Sequence, residues 1–243
     1  MSVVVIFGAT GTIGSALARR LVRLGRQVLL AGRSEEKLKS LSDEIRQPYV
    51  TVDMSDSQSL DEAIRDTAEA YGGVDAFVNC IGSLLLKPAH ITTDDEFHQV
   101  VETNLFTAFA TVRMGAKHLR ASGGSIVLFA SAAAEIGIAN HEAIAAAKAG
   151  IIGLARSAAA TYATNNIRVN VVSPGLIRTD LTRRIWENPA SATASAQMHA
   201  LGRLGEPDQV ASLVAWLLDP DNDWITGQVI GIDGGLGHVL PRR

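Results

Sequence analysis

The first fourteen residues limit the fold more than any other stretch. Val3 to Phe7 is an unbroken apolar run, mostly β-branched, that leads into Gly8-Ala9-Thr10-Gly11-Thr12-Ile13-Gly14, where a helical pattern begins. A continuous apolar run of this length reads as a strand buried on both faces, as parallel sheets require. Glycines after such a strand permit a tight turn and let backbone N–H groups approach a pyrophosphate. The dipole of the helix that follows favours that negative charge. Gly8, Gly11 and Gly14, with Thr10, Thr12 and Ile13 between them, are therefore candidates for holding a dinucleotide.

The pattern repeats along the chain. Strands are expected over residues 3–7, 27–31, 49–53, 76–80, 125–130, 168–173 and 228–232. Helical spacing covers 13–24, 35–45, 60–71, 141–164 and 207–218, with Ser34 placed to cap the second helix and Gly25 to end the first. Residues 94–121 read as one long helix, or a helix with a break. Strands alternating with helices predict an α/β, Rossmann-type doubly wound fold: a seven-stranded parallel sheet with helices on both faces, and ligands at the carboxyl ends of the strands. No linker or repeat divides the 243 residues, so a single dinucleotide-binding oxidoreductase domain over 1–243 is expected. The helix beginning near His141 is rich in Ala and Gly, which suits close packing on its own sheet and against a second subunit.

The composition excludes several classes. Apolar residues make up 47% and charged residues 19%, as in a globular chain, and a net charge of −3 gives no basic excess for nucleic acid or a membrane surface. Cys80 is the only cysteine, so no internal disulfide forms and no Cys/His cluster offers a metal site. No apolar run reaches the length of a membrane span, and the first strand is too short for the core of a signal peptide. A cytoplasmic location is expected.

Cofactor choice is read after the second strand. An acid there would bind the ribose 2′-hydroxyl of NAD, and a base would suit the 2′-phosphate of NADP. The chain has Ala31-Gly32-Arg33-Ser34, with no acid. Arg33 can pair with the phosphate and Ser34 can donate a hydrogen bond, which favours NADP(H) over NAD(H). Asp53 and Met54, after the third strand, fall where the adenine is expected.

Over essentially its whole length the chain resembles the short-chain dehydrogenase/reductase family. Asn79-Cys80-Ile81-Gly82 looks like the family's turn after the fourth strand. Asn104 resembles its active-site Asn, Ser131 its catalytic Ser and Lys148 its catalytic Lys. Pro174-Gly175-Leu176-Ile177-Arg178-Thr179-Asp180 resembles the loop that packs on the nicotinamide, where Ile177 and Thr179 would contact carboxamide and phosphate. The resemblance also implies a homotetramer or homodimer acting on a small-molecule substrate.

Two positions depart from the family pattern. Thr12 stands where the single-domain branch usually has its second glycine. Ile144 stands where the family has the Tyr that protonates the substrate oxygen, four residues before Lys148. Isoleucine can neither give nor take a proton, and such help is typically worth about 10²–10⁴-fold. Residues three and four apart share a helix face, so His141, Ile144 and Lys148 would form one stripe. Histidine titrates near neutral pH, which makes His141 a candidate substitute donor. Cys80 reads as a small buried residue and not a nucleophile.

Residues 181–204 would form a lid over the substrate. Trp186 and Met198 suggest an apolar part, Arg183 and Arg184 could meet an acidic group, and Leu84–Leu86 add an apolar loop at the same mouth. Three readings follow. One is an NADPH-dependent reductase with an altered proton donor, acting on a carbonyl, an imine or an activated alkene. The second is a catalytically silent nucleotide-binding protein or subunit. The third is a non-redox lyase or isomerase on the same fold.

Overall fold

The computed structural model describes residues 3–54 and 56–240. It contains strands β1 (Val3–Phe7), β2 (Gln27–Gly32), β3 (Tyr49–Thr51), β4 (Val74–Asn79), β5 (Gly124–Phe129), β6 (Ile167–Pro174) and β7 (Val229–Ile232). Helices α1 (Thr12–Arg23), α2 (Glu35–Ile45) and α3 (Ser57–Tyr71) connect the first four. Helices α4 (Asp94–Val101), α5 (Thr107–Leu119) and α6 (Glu142–Tyr162) follow, then α7 (Arg183–Trp186), α8 (Pro189–Met198) and α9 (Pro207–Leu217).

All seven strands are parallel, in the order β3-β2-β1-β4-β5-β6-β7. The chain winds outward from β1 to β3, then crosses back to β4 on the other side of β1. The carboxyl ends of β1 and β4 therefore diverge into opposite loops, which opens the crevice that binds ligands in such sheets. The Cys80 N–H donates to the Phe7 carbonyl at 2.9 Å, so the two loops leave the sheet side by side.

β1 is buried along its whole length, which is why its sequence does not alternate. One core layer, including Phe7, Phe77 and Leu128, lies beneath α3, α5 and α6; the other, including Ile6, Leu30 and Val127, lies beneath α1 and α9. The helix that ends at Asn165 is long and apolar enough to cross a membrane by length and composition alone, but Ile151, Ala155 and Ala158 bury one face of it in the first layer.

Most boundaries follow local chemistry. Ser34 caps α2 by accepting the Lys37 N–H at 3.4 Å, and Gly25 ends α1 with φ +77°. β3 stops at Thr51, two residues short of expectation, although Val52 still donates to the Gly32 carbonyl at 2.8 Å. The stretch expected as one helix or a broken one runs as α4 and α5 joined by a π-helical turn over Glu102–Phe106. Inside that turn the Asn104 amide donates to the Val100 carbonyl at 2.9 Å, competing with the regular backbone ladder.

Candidate active site

A cavity of about 670 Å³ runs along the carboxyl ends of the strands. At one end lies the glycine turn. Gly8 has φ +73°, and a Cβ there would stand 3.0 Å from the Cys80 carbonyl carbon, so the β1 and β4 loops can meet only at glycine. A Cβ on Gly14 would lie 2.3 Å from the Gly8 carbonyl oxygen, which holds α1 tight against the turn. Gly8 and Gly14 are thus packing residues behind the cavity, while Thr10, Gly11, Thr12 and Ile13 line it. Gly11 caps α1 without a side-chain hydrogen bond, leaving first-turn N–H groups available to an anion.

The middle of the cavity is formed by Cys80, Ile81 and Gly82. Asn79 lies behind them, buried: its oxygen accepts the Ile81 N–H at 3.0 Å and its amide donates to Thr107 Oγ1 at 3.2 Å. Asn104 is 1% exposed and also stands behind the wall. It accepts the Ser83 N–H at 3.2 Å and donates to Ser83 Oγ at 2.9 Å, fixing the loop that carries Gly82 and Ser83. A Cβ on Gly82 would meet Asn104 Oδ1 at 3.2 Å and Lys148 Nζ at 3.6 Å. Burial pushes the Cys80 thiol up to about 12, so it stays protonated and unreactive at neutral pH.

Ser131, His141, Ile144 and Lys148 line the same region together. Ser131 Oγ accepts the Ala133 N–H at 3.2 Å, which leaves its own proton free to donate. Lys148 Nζ donates to the Phe129 carbonyl at 3.0 Å, with two further N–H groups in reserve. Burial brings its ammonium down to about 8. Ile144 is 3% exposed and packs with Val100, Ala143 and Ala147.

His141 begins α6, set by Asn140 in the left-handed region at φ +64°. Its Nδ1 lies 2.8 Å from the Ala139 carbonyl. A carbonyl only accepts, so Nδ1 carries the proton. Nε2 is then a lone pair in the neutral ring and a donor only in the imidazolium.

Pro174, Gly175, Ile177 and Thr179 form the floor beyond β6. Two contacts there were not foreseen. Thr12 Oγ1 donates to Asp180 Oδ2 at 3.3 Å and accepts the Asp180 N–H at 3.2 Å, tying the glycine turn to the start of the lid. Lys37, from the first turn of α2, also lines the cavity. Its place four residues after Arg33 was the available signal.

Several expected residues stand elsewhere. Arg33 is exposed and Ser34 serves α2 as its cap; neither lines the cavity. Asp53 is exposed, and Met54 is buried in the core layer with Leu60 and Ile64. Neither lid arginine lines the cavity: Arg183 pairs with Asp180 and approaches Glu187 at 3.8 Å. Trp186 turns away as well, donating to the Thr179 carbonyl at 2.8 Å with the Arg178 guanidinium 5.9 Å from its ring. Met198 does line the cavity. So does Leu236, from the segment after β7, outside the residues expected to form the lid.

The residues present fit a dinucleotide. An uncapped helix N-terminus opens one end, a glycine cradle follows, and a lysine with spare donors lies further along. Among the described residues no group of three or more His, Cys, Asp or Glu could hold a metal.

Comparison with known proteins agrees. The chain matches the family described as enoyl-(acyl carrier protein) reductase over residues 8–237. It is 34% identical to a 3-oxoacyl-[acyl-carrier-protein] reductase of Thermotoga maritima, over 96% of this chain and 97% of the relative. It superposes on a short-chain type dehydrogenase/reductase from Mycobacterium ulcerans with a TM-score of 0.92 at 28% identity, covering 97% of this chain and 90% of that one. A variant of actinorhodin polyketide ketoreductase solved with NADPH gives 0.90 at 28% identity, covering 98% of each chain. The chain belongs to the short-chain dehydrogenase/reductase family, a family of oxidoreductases that bind NAD(P)H.

Proposed function

We propose that this protein is an NADP(H)-dependent reductase of a small, uncharged, largely apolar substrate, working without the family's tyrosine. NADP(H) is preferred over NAD(H) through Arg33 and Ser34, helped by Lys37. One observation carries the reading. Ser131 and Lys148 line one cavity with their donors free, Asn104 braces its wall, and only the proton donor's place is taken by Ile144.

When bound, the reduced nicotinamide supplies a hydride. Lys148 would hold the ribose hydroxyls with its spare N–H groups, and the Ser131 hydroxyl, keeping its proton, would hydrogen-bond the substrate oxygen. His141, as imidazolium, delivers a proton from Nε2. Ile144 offers an apolar surface where the family's hydroxyl would stand.

Loss of the tyrosine weighs unequally on the three candidate acceptors. A ketone needs a proton on a strongly basic alkoxide. A conjugated alkene yields an enolate, a weaker base that Ser131 can stabilise by hydrogen bonding alone. An iminium ion needs no proton on the attacked bond, but the far half of the cavity is poorly suited to a cation. Among the described residues, the charged side chains lining the cavity are Lys37, Asp180 and Lys148, and Asp180 sits against the glycine turn. Leu84, Leu86, Ile138, Ile144, Met198 and Leu236 line that half, with His141, His199 and a few serines as its polar groups. An activated alkene such as an enone is therefore the preferred acceptor, with ketones next. The matched family is named for an enoyl reductase and the relatives for ketone reductases, so both chemistries occur among its kin.

The packing of Ile144 against Val100, Ala143 and Ala147 favours a second reading, a silent nucleotide-binding protein. Calorimetric titration with NADPH and NADH, followed by an assay of NADPH consumption, separates them. NADPH binding with enone turnover supports the reductase. Binding without turnover of any ketone, enone or imine supports the silent protein, and conversion of a substrate with NADPH unchanged supports a lyase or isomerase. A homodimer or homotetramer in the cytoplasm completes the proposal. Phe97 and Phe109 are exposed on the α4–α5 side and Trp216 on α9, faces that a second copy would cover.

A further inference from the structure

A second cavity, of about 480 Å³, lies behind the first. The two share a wall made by Gly175, Leu176, Ile177 and His199. His199 is 4% exposed, and both ring nitrogens are engaged. Nε2 accepts the Leu176 N–H at 3.0 Å, and Nδ1 lies 2.7 Å from the Ser195 carbonyl. The carbonyl can only accept, so the proton sits on Nδ1 and the ring is neutral. A Cβ on Gly175 would stand 2.6 Å from Nε2, so the glycine leaves room for the imidazole as well as for the turn.

These partners belong to different parts of the site. Leu176 follows β6 in the floor of the cavity. Ser195 belongs to α8, whose Ser191, Ser195 and Met198 line the far half. We propose that His199 is a positioning residue: it joins α8 to the floor at a fixed height and so sets the depth of the substrate half of the cavity. This rests on reading that half as the substrate site. His199 takes no part in proton transfer, because neither nitrogen faces the cavity with a free donor or acceptor. Removing the ring orphans the Leu176 N–H and frees the last turn of α8 in one step.

The test uses the full chain as wild type, His199→Ala and His199→Gln. Amide hydrogen exchange is followed at Leu176 and across 190–198, and NADPH affinity is measured alongside. Loss of one buried hydrogen bond should raise exchange at these amides about tenfold in His199→Ala, with exchange in β1 and β4 unchanged. NADPH affinity should stay within about twofold. Glutamine can offer Oε1 to the Leu176 N–H, so His199→Gln should recover part of the protection. Unchanged lid exchange in His199→Ala would overturn the proposal. So would exchange rising equally in β1 and β4, which would make His199 a general core residue. A wild type that fails to bind NADPH would overturn the proposed function instead and leave the exchange data to judge the joint.

Discussion

Ile144 lies one helical turn before Lys148 on the buried face of α6, and both side chains line the cavity at the carboxyl ends of the strands. The lysine keeps a hydrogen bond to the Phe129 carbonyl and two unused donors, while its neighbour offers only methyl groups. On the proposed function, Ile144 stands in the proton donor's place and Lys148 is kept to hold the cofactor.

His141 is the first residue to test. Its Nδ1 proton is committed to the Ala139 carbonyl, so Nε2 can donate only from the imidazolium. His141→Ala should lose about 10²-fold in kcat. Full activity in the variant would remove His141 from the mechanism.

Lys148 links stability to pH. Its ammonium titrates at about 8 in the folded protein against 10.5 ordinarily, because burial disfavours the charge. Below pH 8 the lysine is charged in both states, and burial weighs against folding. As pH rises from about 8 towards 10.5 the folded protein sheds its proton first, and the penalty, up to about 3 kcal/mol, disappears. Denaturant unfolding should show Lys148→Met more stable than wild type at pH 7, with the gap closing by pH 10. A gap that widens with pH would contradict the sign. NADPH affinity in the wild type should also fall as pH rises through 8, when the ribose loses a charged donor.

Arg33 is exposed and outside the cavity proper, free to meet a phosphate at its edge. Arg33→Ala should weaken NADPH binding about 10–100-fold and NADH binding hardly at all, since a charge-assisted hydrogen bond is worth roughly 1.5–3 kcal/mol. Equal losses for both cofactors by calorimetry would reject NADP selectivity at this position.

Cys80 should resist alkylation. With its thiol pushed up to about 12, almost no thiolate exists at pH 7.5. Modification of the native protein should run at least about tenfold slower than of the unfolded chain. Labelling at equal rates would mean that the thiol is accessible and ionised.

Much of the fold was legible because its signals are local. β1 and α2 fall where an apolar run and a serine cap put them, and the turn after β1 needs glycine for reasons visible in its spacing. The π-helical turn was not legible. It depends on Asn104 reaching both Val100 and Ser83, and Ser83 is twenty-one positions away in the chain. The charge of the lid arginines is visible in the sequence, but the pairing of Arg183 with Asp180 belongs to the folded loop. Leu236 carries no motif, and Lys37 and His199 stand out in the sequence only as a charge near Arg33 and a residue of the expected lid. They reach the cavity from three separate elements through tertiary packing alone.

The proposed site reduces its substrate without tyrosine. The direct test follows NADPH oxidation over a panel of ketones, enones and cyclic imines, with wild type beside Ile144→Tyr. Turnover by the wild type is expected, best with an enone, with a gain for ketones in Ile144→Tyr. Turnover only in Ile144→Tyr would contradict it, and the wild type would then be a nucleotide-binding protein whose hydride-transfer machinery is intact but lacks its acid.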